Sequence, residues 1–135
     1  MIYLTRVSSF CASHRYHNPE LSDEENRKIF GKCNYPHGHG HNYTIEVTVA
    51  GEMDPATGMV INLSELDKVI ERAVIEPLDH RHLNLDVPAF EREIPTTENL
   101  ARYIWNSLEK KLAGCRLHRV RLYESPELYA DYLGE

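Results

Sequence analysis

The run Cys33-Asn34-Tyr35-Pro36-His37-Gly38-His39-Gly40-His41-Asn42-Tyr43 sets three histidines two residues apart, with glycines between them and a cysteine just upstream. In an extended backbone, residues i and i+2 project to one face, so His39 and His41 can turn both imidazoles toward one ion. A third ligand has to come from elsewhere, and His14, in Phe10-Cys11-Ala12-Ser13-His14-Arg15, closes the other obvious strand. Three neutral protein ligands leave one position of a tetrahedral zinc ion open, which is the pattern of a catalytic rather than a structural site. The plainer alternative is a histidine tract that scavenges metal at the surface.

Three other places carry candidate chemistry. Cys33 lies a few residues before the ligands, so it can reach a molecule held at the metal. Beside a cation its thiolate is favoured, making it a general base or nucleophile; taken alone, a cysteine is also an ordinary small core residue. Asp79 and His80, in Pro77-Leu78-Asp79-His80-Arg81-His82, set an acid beside an imidazole where a helix ends, and the two can share a proton or simply punctuate a loop. Glu124 has the parity of Val120 and Leu122 on an alternating strand, and a carboxylate on the buried side needs a partner. A pair of N–H donors on a heterocycle such as a pterin edge would serve, and so would an ordinary salt bridge.

The elements that must hold these residues are legible from periodicity. Residues 2–13 read as a strand that runs into His14. Ser22-Asp23-Glu24-Glu25 is a capping box opening a short helix through Phe30, with Gly31 as its stop. From residue 41 to 49 the alternation is clean, with His41, Tyr43, Ile45, Val47 and Val49 sharing one face. The ligands therefore lie on an apolar face, toward a core or a subunit contact. Asp54-Pro55-Ala56-Thr57-Gly58 is a turn, and Met59-Val60-Ile61 reads as a returning strand that completes a hairpin. Ser64 reads as the cap of a helix with Leu66, Val69, Ile70, Ala73 and Val74 as its stripe, ended by Pro77. A second helix starts at Thr96 or Thr97, buries Leu100, Tyr103, Ile104, Leu108 and Leu112, and stops at Gly114. Residues 116–124 read as a strand and 128–133 as a short last one. No composition break interrupts residues 1–135, so the expectation is a single α+β domain, a mainly antiparallel sheet with helices on one face.

Composition narrows the function classes. A chain of 135 residues is the usual size of one domain. A net charge of -6 supplies no basic stripe to displace counterions, which argues against nucleic acid as a partner while leaving an anionic small molecule compatible. The first residues lack a signal-peptide pattern and no stretch has transmembrane length, so no membrane partner is expected. Cys11, Cys33 and Cys115 are odd in number and unpatterned, which suits a reducing cytoplasm.

Together and in this order, Phe10-Cys11-Ala12-Ser13-His14-Arg15, Gly31-Lys32-Cys33, Gly38-His39-Gly40-His41-Asn42-Tyr43, Asp54-Pro55 with Thr57-Gly58-Met59-Val60, Pro77-Leu78-Asp79-His80, Leu83-Asn84, Thr96-Thr97-Glu98-Asn99 and Tyr123-Glu124 resemble the 6-pyruvoyltetrahydropterin synthase family, which includes the bacterial 6-carboxytetrahydropterin synthases. The resemblance implies the tunnelling fold, a four-stranded antiparallel sheet with two helices on one side. It also implies a homohexamer of two stacked trimers with active sites at subunit contacts. It implies zinc on His14, His39 and His41, Cys33 as the base, Asp79 and His80 as a proton-relay pair working with it, and Glu124 as the anchor of the pterin ring with a part in the relay. Thr96 and Thr97 would help line the pterin pocket. The implied reaction is elimination of triphosphate from 7,8-dihydroneopterin triphosphate to give 6-pyruvoyl-5,6,7,8-tetrahydropterin. A related route with side-chain cleavage gives 6-carboxy-5,6,7,8-tetrahydropterin, the queuosine precursor.

Two departures from the family pattern stand out. Cys11 occupies a position that is usually serine. His37 creates a second register: Cys33-x3-His37-Gly38-His39 has the short spacing of the carboxy-forming enzymes, and Cys33-x5-His39-Gly40-His41 the long spacing of the pyruvoyl-forming ones. Asn42-Tyr43 and the alternation that follows favour His39 and His41, with His37 left in the loop. A non-catalytic zinc-stabilised binding module would explain the histidines but gives no reason for Cys33, Asp79, His80 and Glu124 to coexist. A pterin aldolase or cyclohydrolase of the same broad fold would release glycolaldehyde or formate without eliminating triphosphate.

Overall fold

The computed structural model describes residues 1–135. Strand β1 (Ile2–His14) runs antiparallel to β2 (His39–Gly51) over their whole lengths, setting Phe10 opposite Tyr43, Ala12 opposite His41 and His14 opposite His39. A two-residue strand, β3 (Arg81–His82), lies parallel to the end of β1. On the other side β2 pairs with β4 (Arg116–Ser125), which turns back as β5 (Leu128–Tyr132), giving the order β3-β1-β2-β4-β5. The class is the expected α+β, with β1, β2, β4 and β5 as the four antiparallel strands; the two-residue β3, parallel to β1, adds a fifth at the edge.

Between β1 and β2, the capping box forms as expected. Ser22 Oγ accepts from Glu25 N–H and the Glu25 carboxylate takes Ser22 N–H, opening helix α1 (Asp23–Phe30). Helix α2 (Leu63–Ile70) is capped by Asn62, whose side chain accepts from Ser64 N–H, so the cap lies two residues before the serine that suggested it. The helix does not end at Pro77. It passes through a π turn (Glu71–Ile75) and a last α turn (Glu76–Leu78). A π turn spaces its bonds five residues apart, which carries the chain past a proline that has no N–H to donate. Helix α3 (Thr97–Leu108) is capped by Thr96 and ends before Leu112 and Gly114, which follow it in a loop.

The expected hairpin of Met59-Val60-Ile61 does not form. The turn is present, with Gly58 N–H and Thr57 N–H both bonded to Asp54 O, but β2 has no free edge: β1 occupies one side and β4 the other. A strand returning there has no ladder to join.

One face of the sheet, with Phe10, Ala12, Tyr43, Ile45, Val47, Val49, Val120 and Leu122, packs against Leu66, Ile70 and Val74 of the α2 stripe and its π turn and against Leu100, Ile104 and Leu108 of α3; all are buried. Stripe and strand parity agree, so the apolar surface of each element is consumed in a single core. The three histidines sit at the end of this buried face.

Chain entry into β2 depends on Gly38, which has φ +76°, a conformation side chains rarely adopt; a methyl group added at its Cα would stand 2.8 Å from His14 O. Gly38→Ala is therefore expected to lower unfolding free energy by about 1–3 kcal/mol in urea denaturation. An unchanged midpoint would mean that this approach is not tight.

Candidate active site

His14 ends β1 with its side chain on the core face, and His39 and His41 begin β2 on the same face. One candidate ligand atom from each lies within 4.8 Å of the others, and the ring centroids are 4.9–5.0 Å apart. Ala12, opposite His41, offers only a methyl, which leaves the space to the rings. The Tyr43 hydroxyl meets His14 Nδ1 at 3.0 Å, so the other ring nitrogen, Nε2, is turned inward. His37 is exposed, with its ring near Tyr35, and lies outside the cluster. Of the two registers, the folded chain assembles the one built on His39 and His41.

Burial drives His14 down to about 4, against the pull of the Glu124 charge and with help from His41 and His39; His41 is also lowered, chiefly by burial. Neutral imidazoles are the form in which histidine binds a metal. Nε2 of both His14 and His41 is buried with no hydrogen-bond partner. Orphaned nitrogens are costly in an apolar wall, and a cation between them removes that cost. A donor set of three imidazoles fits zinc.

Glu124, near the end of β4, reaches the same place. Burial raises its pKa, but a 2.7 Å bond from Thr97 Oγ1, the neighbouring His41 and a 3.1 Å bond from the Tyr16 hydroxyl hold it below the usual carboxylate range. Both bonds fall on Oε2. Oε1 is 3.3 Å from His41 Nε2, an ion-pair distance without the geometry of a hydrogen bond. Thr97 is the first residue of α3, so helix start and strand end meet at this carboxylate. The Thr96 hydroxyl instead caps the helix, accepting from Asn99 N–H at 3.1 Å.

Cys33 lies in a 3-10 turn (Gly31–Asn34) tied down by a bond from Tyr16 N–H to Cys33 O. It shares a cavity of about 530 Å³ with Lys32, Tyr35 and His39. Among protein groups alone, burial and then the Glu124 charge push its thiol up, the reverse of the lowering expected beside a cation.

Asp79 and His80 gather elsewhere. Asp79 Oδ1 accepts Cys11 N–H at 2.9 Å, which holds the carboxyl low, and Oδ2 is 3.0 Å from His80 Nδ1. The Cys11 side chain leaves β1 on the face opposite that of Ala12 and His14. The chain thus brings His14, His39, His41, Glu124, Thr97 and Cys33 to one end of the core, while the acid–imidazole pair stands at the sheet edge, with His80 lining a cavity other than that of Cys33.

Sequence reasoning missed the hydroxyls of Tyr16 and Tyr43 and the buried Asn34, whose amide donates to Tyr16 O at 2.8 Å. Tyr43 was detectable by its parity with His41. Tyr16 was not, because its carboxylate partner is 108 residues away in the chain.

Residues 3–135 match the family described as 6-pyruvoyl tetrahydropterin synthase. The human 6-pyruvoyl tetrahydrobiopterin synthase is 54% identical over 132 residues, covering 98% of this chain and 91% of the human protein. Its namesake from Poecilia reticulata is 52% identical over 133 residues, covering 98% and 90%. The solved structure of Caenorhabditis elegans 6-pyruvoyl tetrahydropterin synthase superposes with a TM-score of 0.94 at 40% identity, over 99% of this chain and 96% of that one.

His41→Ala is expected to remove most bound metal and His37→Ala to leave it, measured by elemental analysis of the purified variants. Equal loss in both would overturn the register.

Proposed function

The chain belongs to the 6-pyruvoyl tetrahydropterin synthase family, and from that premise we propose that it is the lyase that eliminates triphosphate from 7,8-dihydroneopterin triphosphate to give 6-pyruvoyl-5,6,7,8-tetrahydropterin. The observation that carries this reading is the Glu124 carboxylate beside the three histidines, with Oε2 saturated by Thr97 and Tyr16 and Oε1 free of hydrogen bonds. Such an oxygen suits the N–H donors of a pterin ring, and orienting the ring there directs the side chain toward His14, His39 and His41.

Those histidines would hold zinc, which when bound lowers the pKa of a substrate hydroxyl and stabilises developing negative charge. The remaining work falls to this chain's own groups. Thr97 and Tyr16 keep Glu124 ionised and aimed. Cys33 takes carbon-bound protons of the side chain: loss of one as triphosphate departs leaves an enol that tautomerises to a methyl ketone, and the two hydrogens of the CH–OH next to the ring pass to the ring's C=N bond, so that carbon becomes the second ketone while the ring is reduced with no outside reductant. Asp79 and His80 pass protons to and from that centre. Because His80 and Cys33 line different cavities of one chain, and the His80 side chain is 80% exposed, the reading includes a homo-oligomer, a hexamer of two trimers, in which one copy offers the pair to another copy's Cys33. The carboxy-forming alternative is not favoured, since relatives at 52–54% identity carry the pyruvoyl name and the histidine register has the long spacing. No helix is long and apolar enough to cross a membrane, and three free cysteines suit work in the cytoplasm.

Incubation with dihydroneopterin triphosphate should release triphosphate and yield the pyruvoyl product by mass spectrometry; a carboxy product, or no triphosphate, would overturn the assignment. Cys33→Ala should keep zinc and pterin binding and lose turnover, because a base matters only as the proton moves. Glu124→Gln should weaken binding of a bare pterin by about ten- to a hundredfold, in proportion to one charged hydrogen bond of about 1.5–3 kcal/mol, with zinc content unchanged.

A further inference from the structure

Glu124, the histidines and Cys33 meet the ring and side chain of the proposed substrate, but none of them brings a positive charge to its triphosphate. A cavity of about 330 Å³ adjoins that of Cys33, and Lys32 and Tyr35 line both. Arg15, Arg27 and Lys32 present three cations to it, and Asp23 is the one carboxylate in the lining. None of the three cations is ion-paired within this chain, whereas Arg6, Arg102, Arg119 and Arg121 all are. In a chain of net charge -6 this is a local reversal of sign. Gly31, at φ +57°, ends α1 and turns the chain into the 3-10 turn, so that Arg27 in the last turn of the helix and Lys32 come to one cavity. Arg15, just past β1, is held at three points: its N–H donates to Asn84 Oδ1 at 2.8 Å, its C=O accepts from Asn84 Nδ2 at 2.9 Å, and its Nε donates to Asn34 O at 3.0 Å. The terminal guanidinium nitrogens make no hydrogen bond within the chain and remain as a fixed fork.

We propose that Arg15, Arg27 and Lys32 hold the triphosphate tail of the substrate, with Lys32 beside the carbon–oxygen bond that breaks; the inference rests on the proposed lyase activity. Guanidinium forks bind phosphate oxygens in pairs and an ammonium acts as a point charge, so the set suits a polyphosphate better than a single carboxylate. The shared Lys32 makes the path continuous: a substrate whose carbon-bound proton is within reach of Cys33 extends past Lys32 into the cation cavity. In the elimination the C–H bond breaks and its proton passes to Cys33. The electron pair left behind forms the C=C bond of the enol, and the pair of the C–O bond leaves on triphosphate. Negative charge therefore grows on the leaving oxygen, next to Lys32, while Arg15 and Arg27 face outer phosphates whose charge changes little. Lys32 then acts on the rate, and the two arginines act on binding.

The test uses the full-length, zinc-loaded protein with inorganic triphosphate, a bare pterin and dihydroneopterin triphosphate as probes. By calorimetry, inorganic triphosphate should bind the parent, compete with dihydroneopterin triphosphate, and bind Arg27→Ala about tenfold more weakly, with Arg27→Lys recovering most of the loss. In turnover, Arg27→Ala should raise KM about tenfold with little change in kcat, whereas Lys32→Ala should lower kcat about tenfold and Lys32→Arg should restore it. Bare pterin should bind every variant as it binds the parent, because its partner is Glu124. No binding of inorganic triphosphate by the parent, binding without competition, or unchanged KM and kcat in both alanine variants would overturn the subsite. A parallel loss of bare-pterin binding would also overturn it, by making the cations structural. A change of assembly size in the alanine variants would do the same, by making them partners of another copy's carboxylates. Triphosphate binding that depends on Arg27, in a protein that releases none from dihydroneopterin triphosphate, would overturn the lyase assignment and leave the anion cavity standing.

Discussion

Everything at the catalytic end of this chain depends on the pairing register of β1 with β2. Opposite residues of an antiparallel pair share a face, so the match of His14 with His39 and of Ala12 with His41 stacks three imidazoles at the end of the core. A slip of one residue would leave His14 on the face opposite the one shared by His39, His41 and the row Tyr43, Ile45, Val47, Val49. The burial of that row is therefore what fixes the arrangement of the three imidazoles. Core and site are specified by one constraint.

The same burial sets the electrostatics. Desolvation keeps His14 and His41 neutral, and it would also neutralise Glu124 if Thr97, His41 and Tyr16 did not favour its charged form. One anion among neutral nitrogens and hydroxyl donors is a stable arrangement in an apolar wall, because its charge is hydrogen-bonded on one oxygen and faces an imidazole on the other. The cost of holding it falls on two remote elements, the first turn of α3 and the segment after β1, which must both be in position.

The sheet also separates groups that the sequence suggests as one constellation. Cys33 stands with His39 on the core side, whereas Asp79 and His80 close around the backbone of Cys11 at the edge beside β3. The free edge of β1 before that point, and the outer edge of β5, carry unpaired backbone groups.

The sequence by itself determined what nearest neighbours encode. The period-two rows of β1, β2 and β4, the capping box of α1, the stripe of the helix after Asn62 and the choice of His39 and His41 over His37 all follow from side-chain spacing within one element. It also located Glu124 on the buried face. The tertiary structure alone decided what depends on segments far apart in the chain: that Met59–Ile61 finds no free edge, that a π turn carries the helix through Pro77, that Thr97 and Tyr16 share one carboxylate oxygen, and that Asp79 and His80 fold onto Cys11 rather than toward Cys33. Periodicity reports which face of an element is apolar. Which edge is already occupied, and which donor meets which acceptor, is set by the packing of remote elements, and no local pattern carries that information.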